Sequence, residues 1–299
     1  MKVLVTGADG FVGTHLVRAL RARGDEVDAC GGPGGQEALE ITDARAVAHR
    51  IERFGPEGVI HLAGISSVAR SHSAPAETAA VNIAGAANLL KAVRDHAARA
   101  RILLVGSGEE YGRLEPGQPA DERSPLAPVS PYAASKVAAE ALGRQAFASY
   151  GTAAVFLRPF NHLGAGQAPG FVVPSFAAQL VKISRGEASA TIEVGDLSPV
   201  RDFTHVLDVV DAYLLLLTHG EPGESYNICS GAGWSIRQVL DALQALANTH
   251  AEIRVDPARL RPAEIPWLVG SPARIEHLGW KRRRSVDQAL EEVLAEARA

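Results

Sequence analysis

Lys2-Val3-Leu4-Val5-Thr6 runs straight into Gly7-Ala8-Asp9-Gly10-Phe11-Val12-Gly13, and an amphipathic helical pattern follows through Arg21. A short, continuously apolar run of this kind suits a strand covered on both faces, as in a parallel sheet. The glycines recur as Gly-x-x-Gly-x-x-Gly, one residue longer than the commonest dinucleotide fingerprint. The physics is the same: a tight turn, and backbone N–H groups at a helix start that a pyrophosphate can approach closely. A glycine-rich turn alone is often only a turn. The strand before it and the helix after it give these glycines their meaning, and Gly7, Gly10, Phe11, Val12 and Gly13 are expected to face a dinucleotide.

Working outward, further apolar runs alternate with helical patterns. Gly58-Val59-Ile60-His61-Leu62-Ala63-Gly64, Ile102-Leu103-Leu104-Val105 and Ala153-Ala154-Val155-Phe156-Leu157-Arg158 read as strands, and the less apolar Glu26-Val27-Asp28-Ala29-Cys30 reads as the second strand. Such alternation predicts an α/β fold, a doubly wound parallel Rossmann sheet. After Gly164 a smaller, discontinuous C-terminal portion begins, so the expected division is 1–164 with 202–230 for the dinucleotide and 165–201 with 231–299 for the substrate. The end of the second strand should meet the adenosine ribose, where an acid favours NAD and an arginine NADP. Gly31-Gly32 stands there instead. That leaves NADH or NADPH open and predicts weak discrimination between them.

Ser130-Pro131-Tyr132-Ala133-Ala134-Ser135-Lys136 opens a helix expected from Tyr132 to Tyr150. Tyr132 and Lys136, four apart, leave the same face. A cation beside a phenol favours the phenolate, which predicts a tyrosine able to exchange protons near neutral pH. Ser107 ends the apolar strand Ile102-Val105, at the carboxyl edge where open α/β sheets place ligands. Its hydroxyl can orient a substrate oxygen.

A bare Tyr-x-x-x-Lys is a weak signal, but beside the glycine loop it resembles the short-chain dehydrogenase/reductase superfamily in its extended, nucleotide-sugar-modifying form. The resemblance spans nearly the whole chain. It implies that Ser107, Tyr132 and Lys136 are catalytic, with Tyr132 and Lys136 also touching the cofactor. It also places Leu62, Ala63 and Gly64 against the cofactor, Ser66 and Ser67 toward the sugar, and Asn82 in a structural role. Leu39-Glu40-Ile41-Thr42-Asp43 resembles the adenine-side strand end, with Glu40 where aspartate is usual. Asn161, in Phe160-Asn161-His162-Leu163-Gly164, resembles a sugar-diphosphate contact. Arg201, in a run to Asp208 that matches Arg-Asp-Phe-x-His-Val-x-Asp, suits a phosphate. Arg261 and Glu264 resemble contacts to diphosphate and nucleoside ribose.

Gly106-Ser107-Gly108-Glu109-Glu110-Tyr111-Gly112 is further similar to the branch that reduces GDP-linked 4-keto-6-deoxy sugars with NADPH or NADH, although Gly108 replaces a usual serine. The products implied are GDP-rhamnose or its 4-epimer. Glu109 stands where 4,6-dehydratases keep an acid or base, so dehydration remains an alternative, as do 4-epimerisation and silent dinucleotide binding as a redox sensor. Relatives pair through two helices, here expected from Glu77 to Ala97 and from Tyr132 to Tyr150, which implies a homodimer.

Composition excludes other classes. A formal net charge of −4 over 299 residues is not the basic footprint of a nucleic-acid binder. No apolar run is long enough to cross a bilayer, and Cys30 and Cys229 lie far apart, as suits reduced thiols in a cytoplasmic protein. His61, His162 and His205 are scattered, so no metal is assigned.

Overall fold

The computed structural model describes residues 1–32, 34, 37–260 and 265–299. Strand β1 (Lys2–Thr6) turns at Gly7 and runs into helix α1 (Phe11–Ala22). Val3, Leu4 and Val5 are fully buried. They divide between two cores, Val3 and Val5 on one face of the sheet and Leu4 on the other. Both faces of the strand are therefore covered, which explains why its sequence shows no polar alternation.

The chain continues through β2 (Glu26–Cys30), α2 (Ala44–Phe54), β3 (Gly58–His61), α3 (Val68–Ser73), α4 (Pro75–Ala79) and α5 (Gly85–His96). Then come β4 (Arg101–Val105), α6 (Pro131–Tyr150), β5 (Ala154–Pro159), β6 (Asn161–Leu163), α7 (Val172–Ser184), β7 (Thr191–Val194), β8 (Val200–His205), α8 (Val206–His219) and β9 (Ser225–Ile228). Six parallel strands form the main sheet in the order β2-β1-β3-β4-β5-β9. Helices α1 and α8 cover one face and α2, α5 and α6 the other, so the sheet is doubly wound. The order reverses between β1 and β3, and the crevice beyond their carboxyl ends is the place for a ligand.

Two expectations change. Among the described residues the adenine-side stretch is marked by an isolated parallel bridge, Gly31 to Ala38, and Leu39 to Asp43 form no strand. The helix expected from Glu77 to Ala97 is interrupted by a π-helical stretch, Ala80–Ala84. Asn82 sits in that wider turn, which aims its side chain at the loop after β3.

A second core gathers Val173, Phe176 and Leu180 of α7 with residues of α9 (Ile236–Ala247) and α11 (Val286–Arg298). Beside it β8 pairs with β6, with the antiparallel β10 (Gly233–Ser235) and with β12 (Trp267–Leu268), while β11 (Glu252–Val255) pairs with β7. Phe203 packs in this second core, although the sequence reading put residues 202–230 with the nucleotide portion. Ile275 of α10 (Ala273–His277) and Trp280, read as part of the substrate portion, pack in the first.

Candidate active site

At the switch point the glycine loop and the end of β3 are pressed together. A Cβ on Gly13 would lie 2.3 Å from the Gly7 carbonyl oxygen, and one on Gly7, at φ +67°, would lie 2.7 Å from the Ala63 nitrogen. Only glycine fits at either position. Helix α1 starts at Gly10 without a side-chain cap, so the N–H groups of Phe11, Val12 and Gly13 have no intrahelical partner and suit an anion. Thr6 Oγ1 accepts from Ala63 N at 3.2 Å, and Leu62 N donates to Thr6 O at 3.1 Å. This cradle fits a dinucleotide. Ile41 is buried and its carbonyl accepts from Asn88 Nδ2, whereas Glu40 is exposed, its carboxylate held below the usual range by the hydroxyl and N–H of Thr42.

Ser107 leaves β4 in extended conformation and caps a short 3-10 turn, Gly108–Tyr111. Its hydroxyl accepts from Glu109 N at 3.2 Å. Ser130 caps α6 by accepting from Ala133 N, which sets Tyr132 and Lys136 on one face opposite Ser107. The Ser107 side chain lies near enough to Tyr132 to favour its phenolate, and Lys136 Nζ donates to the Val105 carbonyl at 2.8 Å, 6.0 Å from the Tyr132 ring centroid. Gly64 packs beside this lysine: a Cβ there would lie 3.7 Å from Nζ and 2.9 Å from Asn82 Oδ1. Asn82 accepts from Ile65 N and donates to Ile65 O and Ser135 Oγ. The β3 loop is thereby tied to the start of α6.

The proton chemistry differs from the sequence reading. Burial, followed by the Glu109 carboxylate, raises the Tyr132 phenol above its ordinary range. Burial also lowers the Lys136 ammonium to about 8. Desolvation outweighs the neighbouring cation because Lys136 stands some distance from the ring and spends a proton on Val105. Tyr132 is therefore a neutral acid, poised to donate.

Beneath Ser107 lies a buried charged network. Glu110, inaccessible to solvent, accepts from Ser107 N at 2.8 Å, and its carboxyl is pushed up to about 8 by burial, then by Glu140. Arg158, 2% exposed, donates to Glu140 at 2.6 and 3.0 Å and to Tyr111 Oη at 2.9 Å, and its Nε lies 3.4 Å from Glu110 Oε2. Glu140 takes the closer contact, so it holds the negative charge while Glu110 is protonated. Tyr111 donates to Asn227 at 2.6 Å, tying the turn to β9. A Cβ on Gly108 would strike the Phe160 ring at 2.8 Å, so Phe160 occupies the space that a serine there would need.

On the substrate side, Ser66 is exposed at the cleft and Ser67 caps α3 by accepting from Arg70 N. Asn161 is exposed on β6, paired with Phe203. Arg201 donates to the carbonyls of Val200 and Ile265 at 2.9 and 2.7 Å. Its neighbour Asp202 is fully buried and accepts from Ser230 N, Ser230 Oγ, Gly231 N and Gly270 N. Arg261 and Glu264 lie outside the described residues. Among the described residues no group of His, Cys, Asp or Glu is placed to hold a metal ion, and no helix is long and apolar enough to cross a membrane.

A serine, a buried tyrosine and a lysine over a glycine cradle at a parallel-sheet switch point coincide with one family model, matched over residues 3–229. The chain belongs to the NAD dependent epimerase/dehydratase family. Among members of this family it is 38% identical over 99% of its length to GDP-6-deoxy-D-mannose reductase of Pseudomonas aeruginosa, covering 96% of that protein. It is 32% identical over 92% of its length to GDP-6-deoxy-D-talose 4-dehydrogenase of Aggregatibacter actinomycetemcomitans, covering 90% of it. The structure of RMD from Pseudomonas aeruginosa complexed with NADPH superposes with a TM-score of 0.90 at 35% identity, covering 99% of this chain and 98% of that one.

In this member of the family the sequence reading missed Glu110, Arg158 and Asp9. Ser107-Gly108-Glu109-Glu110 is a Ser-x-x-Glu capping box, a local signal that marks Glu110 as the partner of Ser107. Arg158 carries no such signal. Asp9, in the glycine loop, accepts from Gly32 N at 3.0 Å, a contact that only the fold creates.

Proposed function

We propose that this protein reduces the 4-keto group of a GDP-linked 4-keto-6-deoxyhexose with NADPH or NADH, giving GDP-rhamnose or its 4-epimer. The observation that carries this reading is end-to-end similarity to GDP-6-deoxy-D-mannose reductase, joined to a site whose tyrosine is an acid. When bound, the reduced nicotinamide supplies hydride to the keto carbon. Tyr132 holds the proton that the carbonyl oxygen receives, and its burial keeps that proton in place at neutral pH. Lys136, one turn along α6, offers its charge to the phenolate left behind. Ser107 orients the oxygen, with its backbone fixed by Glu110.

In the proposed complex Ser66 and Ser67 face the sugar, Asn161 meets the sugar diphosphate, Arg201 and Arg261 meet its phosphates, Glu264 meets the nucleoside ribose, and Glu40 and Ile41 border the adenine. Glu109 lies close enough to Tyr132 to raise its pKa, and this specific observation favours the second reading, a 4,6-dehydratase in which Glu109 moves a proton. The chain is proposed to pair with a second copy through α4, α5 and α6, where Phe147 and Tyr150 are 40% and 56% exposed. A monomeric mass at micromolar concentration would reject that pairing.

The test offers purified protein either GDP-4-keto-6-deoxymannose with NAD(P)H or GDP-mannose alone. The reductase consumes reduced cofactor with the keto sugar and leaves GDP-mannose untouched. Formation of a 4-keto product from GDP-mannose without added reductant would establish the dehydratase instead.

A further inference from the structure

The end of β2, where an acid or an arginine ordinarily reads the ribose, carries Gly31 and Gly32 in this chain. The space is filled from elsewhere. Asp9, exposed in the glycine loop, reaches across so that Oδ2 accepts from Gly32 N at 3.0 Å, and a Cβ on Gly31 would lie 3.1 Å from the same oxygen. Ala8 N donates to Cys30 O at 3.0 Å, pinning the two loops together. The carboxylate thus stands beyond the last residue of β2, beside the helix start that suits the pyrophosphate.

Among the described residues none forms an ion pair with Asp9. The sequence from Gly31 to Gln36 has no charged side chain. Arg50 of α2, which points toward β2, is already held by Asp28, with Nε donating to Oδ2 at 2.7 Å, and by Glu37 at 2.8 Å. A ribose 2′-hydroxyl can donate to a carboxylate at this place, whereas a 2′-phosphate meets like charge without an arginine fork to receive it.

We propose that Asp9 reads the 2′ position of the adenosine ribose and selects NADH against NADPH. This replaces the weak discrimination that Gly31-Gly32 suggests, and it distinguishes this chain from the relative solved with NADPH. It rests on the glycine loop binding dinucleotide, and it is independent of which sugar is reduced.

The experiment titrates the full chain, without sugar, with NADH and with NADPH, following cofactor fluorescence, for the wild type, Asp9→Asn and Asp9→Ser. Circular dichroism confirms the fold of each variant. The wild type is expected to bind NADH at least tenfold more tightly than NADPH, about 1.4 kcal/mol. Both variants are expected to shrink that ratio fivefold or more, chiefly by binding NADPH more tightly. A wild type that prefers NADPH, or variants that keep the native ratio, would overturn the assignment. So would equal weakening of both cofactors in folded variants, which would make Asp9 only a brace for Gly32.

Discussion

Replacing Arg158 by methionine keeps an apolar stem of similar reach in the core and removes the guanidinium. The side chain is 2% exposed and holds Glu140 through two bonds, at 2.6 and 3.0 Å, Tyr111 through one, and Glu110 at 3.4 Å. Breaking a buried pair from one side costs about 3–5 kcal/mol, because the remaining charge is stranded. Glu140 retains Arg144 at 2.7 and 2.9 Å, and Glu110 holds its proton, so the low end applies, about 3 kcal/mol. At about 2–4 °C per kcal/mol for a chain of this size, the melting temperature should fall by roughly 6–12 °C. Urea unfolding followed by circular dichroism gives the free energy directly. The double variant Arg158→Met/Glu140→Gln removes the stranded charge and should recover at least half of the loss. A single variant within about 1 kcal/mol of wild type would refute the reasoning, since it would mean that water or a rearranged Arg144 already compensates Glu140.

Tyr132→Phe should lower kcat by about 10²–10⁴-fold, the range for a lost general acid, while the Kd for NADH changes by less than about threefold; a variant with most of its rate would remove Tyr132 from the chemistry. In a pH series kcat should fall as pH rises through about 8, because the Lys136 ammonium, depressed by burial, is present below that value and lost above it, whereas Tyr132, raised, stays protonated across the range; a plateau to pH 10 would contradict this. Gly13→Ala forces a methyl to 2.3 Å from the Gly7 carbonyl, so cofactor affinity measured by fluorescence should drop at least tenfold, and unchanged binding would show that the loop is not the cradle.

The parts of this fold that sequence made legible are those encoded locally. β1 and β2 occupy the residues read as strands, β1 because a strand buried on both faces leaves an uninterrupted apolar run, and α6 begins one residue before Tyr132 because Ser130 and Pro131 are a cap and a first-turn proline. Tyr132 and Lys136 share a face by helical spacing alone. What escaped depends on contacts between distant segments. Asp9 meets Gly32 across 23 residues and Tyr111 meets Asn227 across 116. The direction of the Tyr132 shift is hidden for the same reason: spacing reveals the neighbouring lysine, but the burial that raises the phenol is a property of the assembled core. The break at Ala80–Ala84 was likewise invisible, since an alanine-rich run reads as a regular helix whether or not one turn is widened to aim Asn82.

The central claim is that hydride comes from exchangeable cofactor and ends on the sugar, and isotope transfer tests it most directly. The protein is incubated with GDP-4-keto-6-deoxymannose and NADH carrying deuterium at the transferable C4 position, and the product is examined by mass spectrometry and NMR. Net reduction predicts one deuterium at sugar C4 for each NADH oxidised. Turnover to a sugar product without deuterium, or with no NADH consumed, would mean that the hydride returns to the sugar it came from, as in a dehydratase or an epimerase, and would contradict the account.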